Sequence, residues 1–174
     1  MSELDEAWAL ALAEAESRAR LSGRRDIAAY LALRNSNDLL RKTGIKWLIA
    51  TFETLAAQAN RRGASIQISK EDTHRFRAGN STMVGNLLTL RSGVRQLSVE
   101  AGWPRTPKDG FVRGGGLASG NIRHLGIKSA SQALLLVQSV QGPPCWVRAE
   151  KGGAKAEIHE VNLRKHIATL LASG

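Results

Sequence analysis

The chain is poor in the residue types that usually make a protein's chemistry legible. It has one cysteine, Cys145, in 174 residues. No intrachain disulfide can form, which fits a reducing compartment. Aromatic residues make up 5%, thin for a surface that stacks unpaired bases. No apolar run approaches the roughly 18 residues needed to cross a bilayer, and the run at 133–137 is strand-sized. The opening Met1-Ser2-Glu3-Leu4-Asp5-Glu6 is acidic and lacks the basic start and apolar stretch of a secretory signal. Cytoplasmic placement is the expectation. There is no internal repeat, no low-complexity tail and no segment specific enough to name a family.

Motifs that carry chemistry are equally scarce. Gly114-Gly115-Gly116-Leu117-Ala118-Ser119-Gly120 is neither G-x-G-x-x-G nor a P-loop, since it lacks the lysine and a strand-then-helix context. It reads as an irregular loop or glycine bulge. His159-Glu160 and His166 do not have the H-E-x-x-H spacing of a zinc site. No Cys/His cluster supplies further ligands, so no metal and no cofactor are expected. His166 reads as a cation near a helix C-terminus. In the strand region Glu71-Asp72 is the only adjacent acidic pair, and Glu100 and Asp109 stand alone. A metal-dependent nuclease needs several converging carboxylates, so catalysis is not the leading reading. No zinc-finger spacing, basic zipper or RNP-like aromatic pattern occurs. Cys145 reads as a small buried hydrophobe.

What is present is hydrophobic patterning and positive charge. Hydrophobic residues make up 43%, enough for a core. Residues 1–63 read as about three helices. The first ends at Ser22-Gly23; a short second one opens at Asp26 and breaks at Asn35-Ser36-Asn37; a third spans 38–62 and stops at Gly63. From Ala64 the apolar period changes to two. Ala78-Gly79-Asn80-Ser81 and Arg91-Ser92-Gly93 mark hairpin turns. Further strands are expected at 121–125, 133–140 and 145–150. Leu163, Ile167, Leu170 and Leu171 give a last helix over about 160–172. The expectation is one α+β domain over 1–174: helical through 63, a mainly antiparallel sheet of roughly six to eight strands over 64–157, and a C-terminal helix in 158–174.

Lys plus Arg number 25 against 15 Asp plus Glu, a net charge of +10. The excess is smallest in 1–63, with ten basic and eight acidic residues, and largest in 64–126, with nine and four. Seven of those nine are arginines: Arg75, Arg77, Arg91, Arg95, Arg105, Arg113 and Arg123. The guanidinium fork matches phosphate, so arginine is the more telling cation. Arg75 and Arg77, two apart, share a sheet face if the strand is regular. Trp8, Trp47 and Trp146 sit in apolar patterns and read as core. Trp103, beside the Pro/Gly-rich loop 103–120, reads as exposed, and with Phe111 it offers a stacking platform.

Three functions follow. The first is nucleic-acid or other polyanion binding through Arg75, Arg77, Arg91, Arg95, Trp103, Arg105, Arg113, Arg123 and His124, without catalysis. The second is a protein-interaction or homo-oligomeric assembly module built on the 38–62 helix, which is apolar on more than one side. The third is an enzyme acting on a phosphorylated small molecule, which requires Arg105, Arg113, Arg123 and His124 to converge.

Overall fold

The computed structural model describes residues 3–105 and 116–172. Helix α1 (Glu3–Leu21) carries Glu3, Asp5 and Glu6 in its first turn and Arg18 and Arg20 in its last, a charge order that complements the helix dipole. It ends in a Schellman turn: the Arg24 N–H donates to the Ala19 carbonyl at 3.0 Å and the Gly23 N–H to that of Arg20 at 3.2 Å. Gly23 takes φ +74, the left-handed conformation this turn requires.

Helix α2 (Arg25–Arg61) runs unbroken for 37 residues. The expected break at Asn35-Ser36-Asn37 is absent, so two helices precede the sheet instead of about three. Two physical reasons account for this. Asn35 and Ser36 are solvent-exposed, where a polar side chain costs a helix only tenths of a kcal/mol, about 0.5 relative to alanine. Asp38, at the expected start of the third helix, accepts hydrogen bonds from Trp8 Nε1 at 2.7 Å and Arg41 Nη1 at 2.6 Å, which hold the helix against α1 there.

The second half of α2 enters the core through Ile45, Leu48, Ile49, Phe52, Leu55 and Ala56. Gly44 permits the approach. A Cβ there would lie 2.6 Å from the Leu136 methyls, and its carbonyl accepts a hydrogen bond from Trp146 Nε1 at 2.9 Å.

The described strands form one antiparallel meander, β1 (Gln67–Ala78), β2 (Ser81–Ser92), β3 (Arg95–Trp103), β4 (Ala118–His124), β5 (Gln132–Val137), β6 (Cys145–Ala149) and β7 (Lys155–Glu157), each paired with the next. The first two connections are the tight turns read from the sequence, closing at Ala78↔Ser81 and Ser92↔Arg95. Strand β7 was not anticipated, being only three residues long. Helix α3 (Glu160–Leu171) follows where expected. The fold is therefore α+β, with helices and sheet segregated along the chain. No described helix is long and apolar enough to cross a membrane.

Residues directly opposite one another across an antiparallel pair share a sheet face. Leu88, Leu90, Leu97, Val99, Ile122, Leu136 and Trp146 line the face covered by α2 and α3, where Leu163, Ile167 and Leu170 meet them. Strand β1 is bulged between Glu71 and His74. Before the bulge, Ile68 and Lys70 oppose Leu90 and Leu88 on the covered face. Beyond it, Arg75 and Arg77 take that face, opposite Val84 and Thr82, and His74 and Phe76 point to the other.

Candidate polyanion-binding surface

The arginines of the strand region divide between the two faces. Arg75 and Arg77 do share a face of β1, and both are exposed. Arg91 and Arg95 flank one turn, yet Arg91 opposes Gln67 and Gln96 on the outer face, whereas Arg95 lies on the helix side. Arg91 Nε donates to Gln96 Oε1 at 2.9 Å. Arg95 Nη1 donates to the Thr169 carbonyl at 2.9 Å, in the last turn of α3, where a cation suits the dipole. Arg123 and His124 are neighbours on β4 and so point to opposite faces. Phe111 and Arg113 lie outside the described residues.

Trp103 and Arg105 correct the expectation of an exposed contact. Trp103 is 3% exposed, on the helix side opposite Val84. The Arg105 guanidinium lies over its ring, 3.3 Å from the centroid, and pairs with Asp5 of α1 at 2.7 Å while Nη2 donates to the Val84 carbonyl at 3.2 Å. Burial lowers the pKa of Arg105 from its ordinary value, opposed by Asp5. This cation joins α1 to β2 and β3. Arg41 performs the equivalent task from α2: it is buried, and its Nε donates to the Leu117 carbonyl at 2.7 Å. Burial lowers its pKa too, against the hydrogen bond to Asp38.

A second cluster, not anticipated from the sequence, occupies the outer face. Glu100 of β3 is 4% exposed. Its Oε2 meets His74 Nε2 at 2.7 Å. Its Oε1 accepts from Asn121 Nδ2 at 2.9 Å and lies 2.9 Å from Arg123 Nη2. His74 stacks on Phe76, 5.8 Å between ring centroids, with Glu71 3.9 Å from its other nitrogen. Both carboxylate oxygens are engaged, so the cluster ties β1, β3 and β4 together, and Arg123 is neutralised there. Its only sequence signal was alternation: Glu100, Asn121 and Arg123 occupy outward positions on paired strands.

His124 is buried on the covered face, where its Nε2 lies 2.9 Å from His166 Nδ1 and the rings stack 5.2 Å apart. Burial is the main cause pushing His166 down to about 4, helped by His124 and Arg148. Burial and Arg95 lower His124 as well. The expectation that His166 serves as a cation for the helix dipole is therefore overturned: the ring is neutral and packed. Arg105, Arg123 and His124 do not converge, and Arg113, the fourth residue of the phosphate-handling reading, lies outside the described residues.

A cleft of about 480 Å³ lined by described residues runs between α2 and strands β1–β3. Lys42, Lys46 and Lys70 line it together with Asp5, Glu53 and Asp72. The Lys70–Glu53 pair at 2.9 Å raises the Lys70 pKa. Three cations facing three carboxylates do not make an anion site. Among the described residues no group of three or more His, Cys, Asp and Glu is placed to hold a metal ion. Cys145 is half-buried, and burial raises its thiol pKa, which keeps it protonated. No protein-family model, curated protein or solved structure matches the chain.

Proposed function

We propose that the chain binds nucleic acid or another polyanion, and that the edge strand β1 makes the first contact. One observation carries this: among the described residues, Arg75 and Arg77 are exposed, lie on one face of a strand that pairs only with β2, and form no ion pair. The other described arginines of the region are held by Gln96, Thr169, Asp5 or Glu100. Arg77 Nη1 makes only a long hydrogen bond to Thr82 Oγ1, at 3.4 Å, and two guanidinium groups free of carboxylate partners suit successive phosphates of a backbone. The net charge of +10 adds attraction at longer range.

The test is binding to labelled single- and double-stranded DNA and RNA across a salt series. Each phosphate contact contributes about 0.9 to the slope of log affinity against log salt on duplex DNA. Arg75→Ala with Arg77→Ala is expected to weaken binding and flatten that slope by about two. A wild-type affinity indifferent to salt would refute the proposal. Arg105 is unsuitable as a probe, because its loss removes a buried contact between α1 and the sheet.

Assembly through α2 has one observation in its favour. Trp47, expected in the core, is 41% exposed, and Leu39 is 66% exposed. The rest of the apolar stretch, Ile45, Leu48, Ile49 and Phe52, is buried within the chain's own core. Solution mass decides the matter: a monomer leaves Trp47 without an assembly role.

A further inference from the structure

The charge of the helical segment is small only as an average. Residues 1–16 contain five acidic residues and no basic one. The next nine contain Arg18, Arg20, Arg24 and Arg25 and no acidic residue. The fold gives this segregation a place. All four arginines are exposed at the α1–α2 turn, around Ser22-Gly23. The Schellman bonds and the hydrogen bond from Ser22 Oγ to the Ala19 carbonyl fix that turn. Arg20 is paired with Glu16, Arg18 Nε meets only the Glu14 carbonyl at 3.4 Å, and Arg24 and Arg25 have no ion-pair partner among the described residues. Asp26 is the sole acidic residue from 17 to 37.

The turn also stands away from the body of the molecule. Among the described residues the core takes nothing from α2 before Leu40. From Arg25 to Ile45 the helix advances about 30 Å. Helix α1 links the turn to the sheet edge: Asp5 holds Arg105, whose Nη2 reaches the Val84 carbonyl, and Val84 opposes Arg75. From Asp5 to Leu21 that helix spans about 24 Å. Phosphates on one strand are spaced about 3.4 Å apart along a duplex, so this span covers about seven of them.

We propose that the arginine turn at 18–25 is a second contact for the nucleic-acid backbone, separated from Arg75 and Arg77 by about the length of α1. The proposal rests on the polyanion reading of the sheet edge and adds a footprint to it. A phosphodiester backbone is the partner the two clusters fit, because both present exposed arginine forks.

The experiment compares four proteins on a fluorescein-labelled duplex of about 24 base pairs, long enough to reach both clusters. These are the wild type, Arg18→Ala/Arg24→Ala/Arg25→Ala, Arg75→Ala/Arg77→Ala, and the control Lys128→Ala/Lys151→Ala/Lys155→Ala. The control removes three exposed charges elsewhere. The turn variant is expected to weaken binding at least tenfold at low salt and to flatten the salt slope by about three. The control is expected to leave both near wild type. All substituted side chains are exposed, and circular dichroism checks that each variant is folded. If the turn variant matches the control while the Arg75/Arg77 variant loses affinity, the second contact is wrong and the sheet-edge reading stands. If the turn variant loses affinity and the Arg75/Arg77 variant does not, the turn is the main site and the sheet edge is wrong. Absence of wild-type binding at low salt overturns both.

Discussion

Glu100 concentrates the polar organisation of the outer sheet face in one side chain. It is buried, yet it receives His74, Asn121 and Arg123 from two neighbouring regions of the sheet. Removing the carboxylate leaves the Asn121 amide and the His74 ring without their partner. Glu100→Ala is therefore expected to cost about 2 kcal/mol of stability. Arg123 is more than half exposed, and its contribution is screened by water, so Arg123→Ala is expected to cost less than about 1 kcal/mol. Urea denaturation of the two variants measures both. Equal losses would show that the carboxylate contributes nothing beyond its ion pair. At the same scale the sequence was least informative about Trp103 and Arg105. Arg105 pairs with Asp5, about a hundred residues earlier, and Trp103 joins the core beneath it, contacts that no local pattern reports.

Whole elements were more legible, because period and turn chemistry are local. The turns at Gly79-Asn80 and around Gly93, the stop at Gly63 and the stripe of α3 all lie where the residues point. The shared face of Arg75 and Arg77 follows from alternation alone. The bulge between Glu71 and His74 was hidden, and it decides which face those two arginines occupy. The continuity of α2 was hidden as well, since the residues that resemble a break face water and Asp38 is recruited by Trp8. Glycine spacing carries a further constraint on the sheet. Gly85 opposes Gly102, and a Cβ on Gly85 would lie 1.9 Å from the Ala101 carbonyl oxygen and 2.6 Å from the Gly102 Cα. Backbone cannot yield as a side-chain tip does. Gly85→Ala is expected to destabilise the fold by about 3 kcal/mol. A thermal melt within a degree of wild type would contradict the close approach of β2 and β3.

For the molecule as a whole, stability should depend on acid through the contact of β4 with α3. His166 is held down to about 4, while the unfolded chain titrates near 6.5. The unfolded state therefore binds a proton that the folded state refuses. Stability is level above about 6.5 and falls as pH drops toward about 4. Denaturation midpoints at a series of pH values should show this decline, and His166→Gln should make it shallower. An unchanged slope in the variant would mean that other groups govern acid unfolding.

The meander has a consequence for synthesis. Every described strand pairs with its successor, so the sheet can be laid down in the order in which a ribosome delivers it. Helix α2 is different: it is made before the sheet, and the sheet residues that cover it come later. Ile45, Leu48, Ile49 and Phe52 leave the exit tunnel bare. Leu88 and Leu90 are the first sheet residues of their core cluster to follow, and Trp146 reaches the Gly44 carbonyl only after 102 further residues. Until those residues emerge, the stripe lacks the partners that bury it in the folded chain.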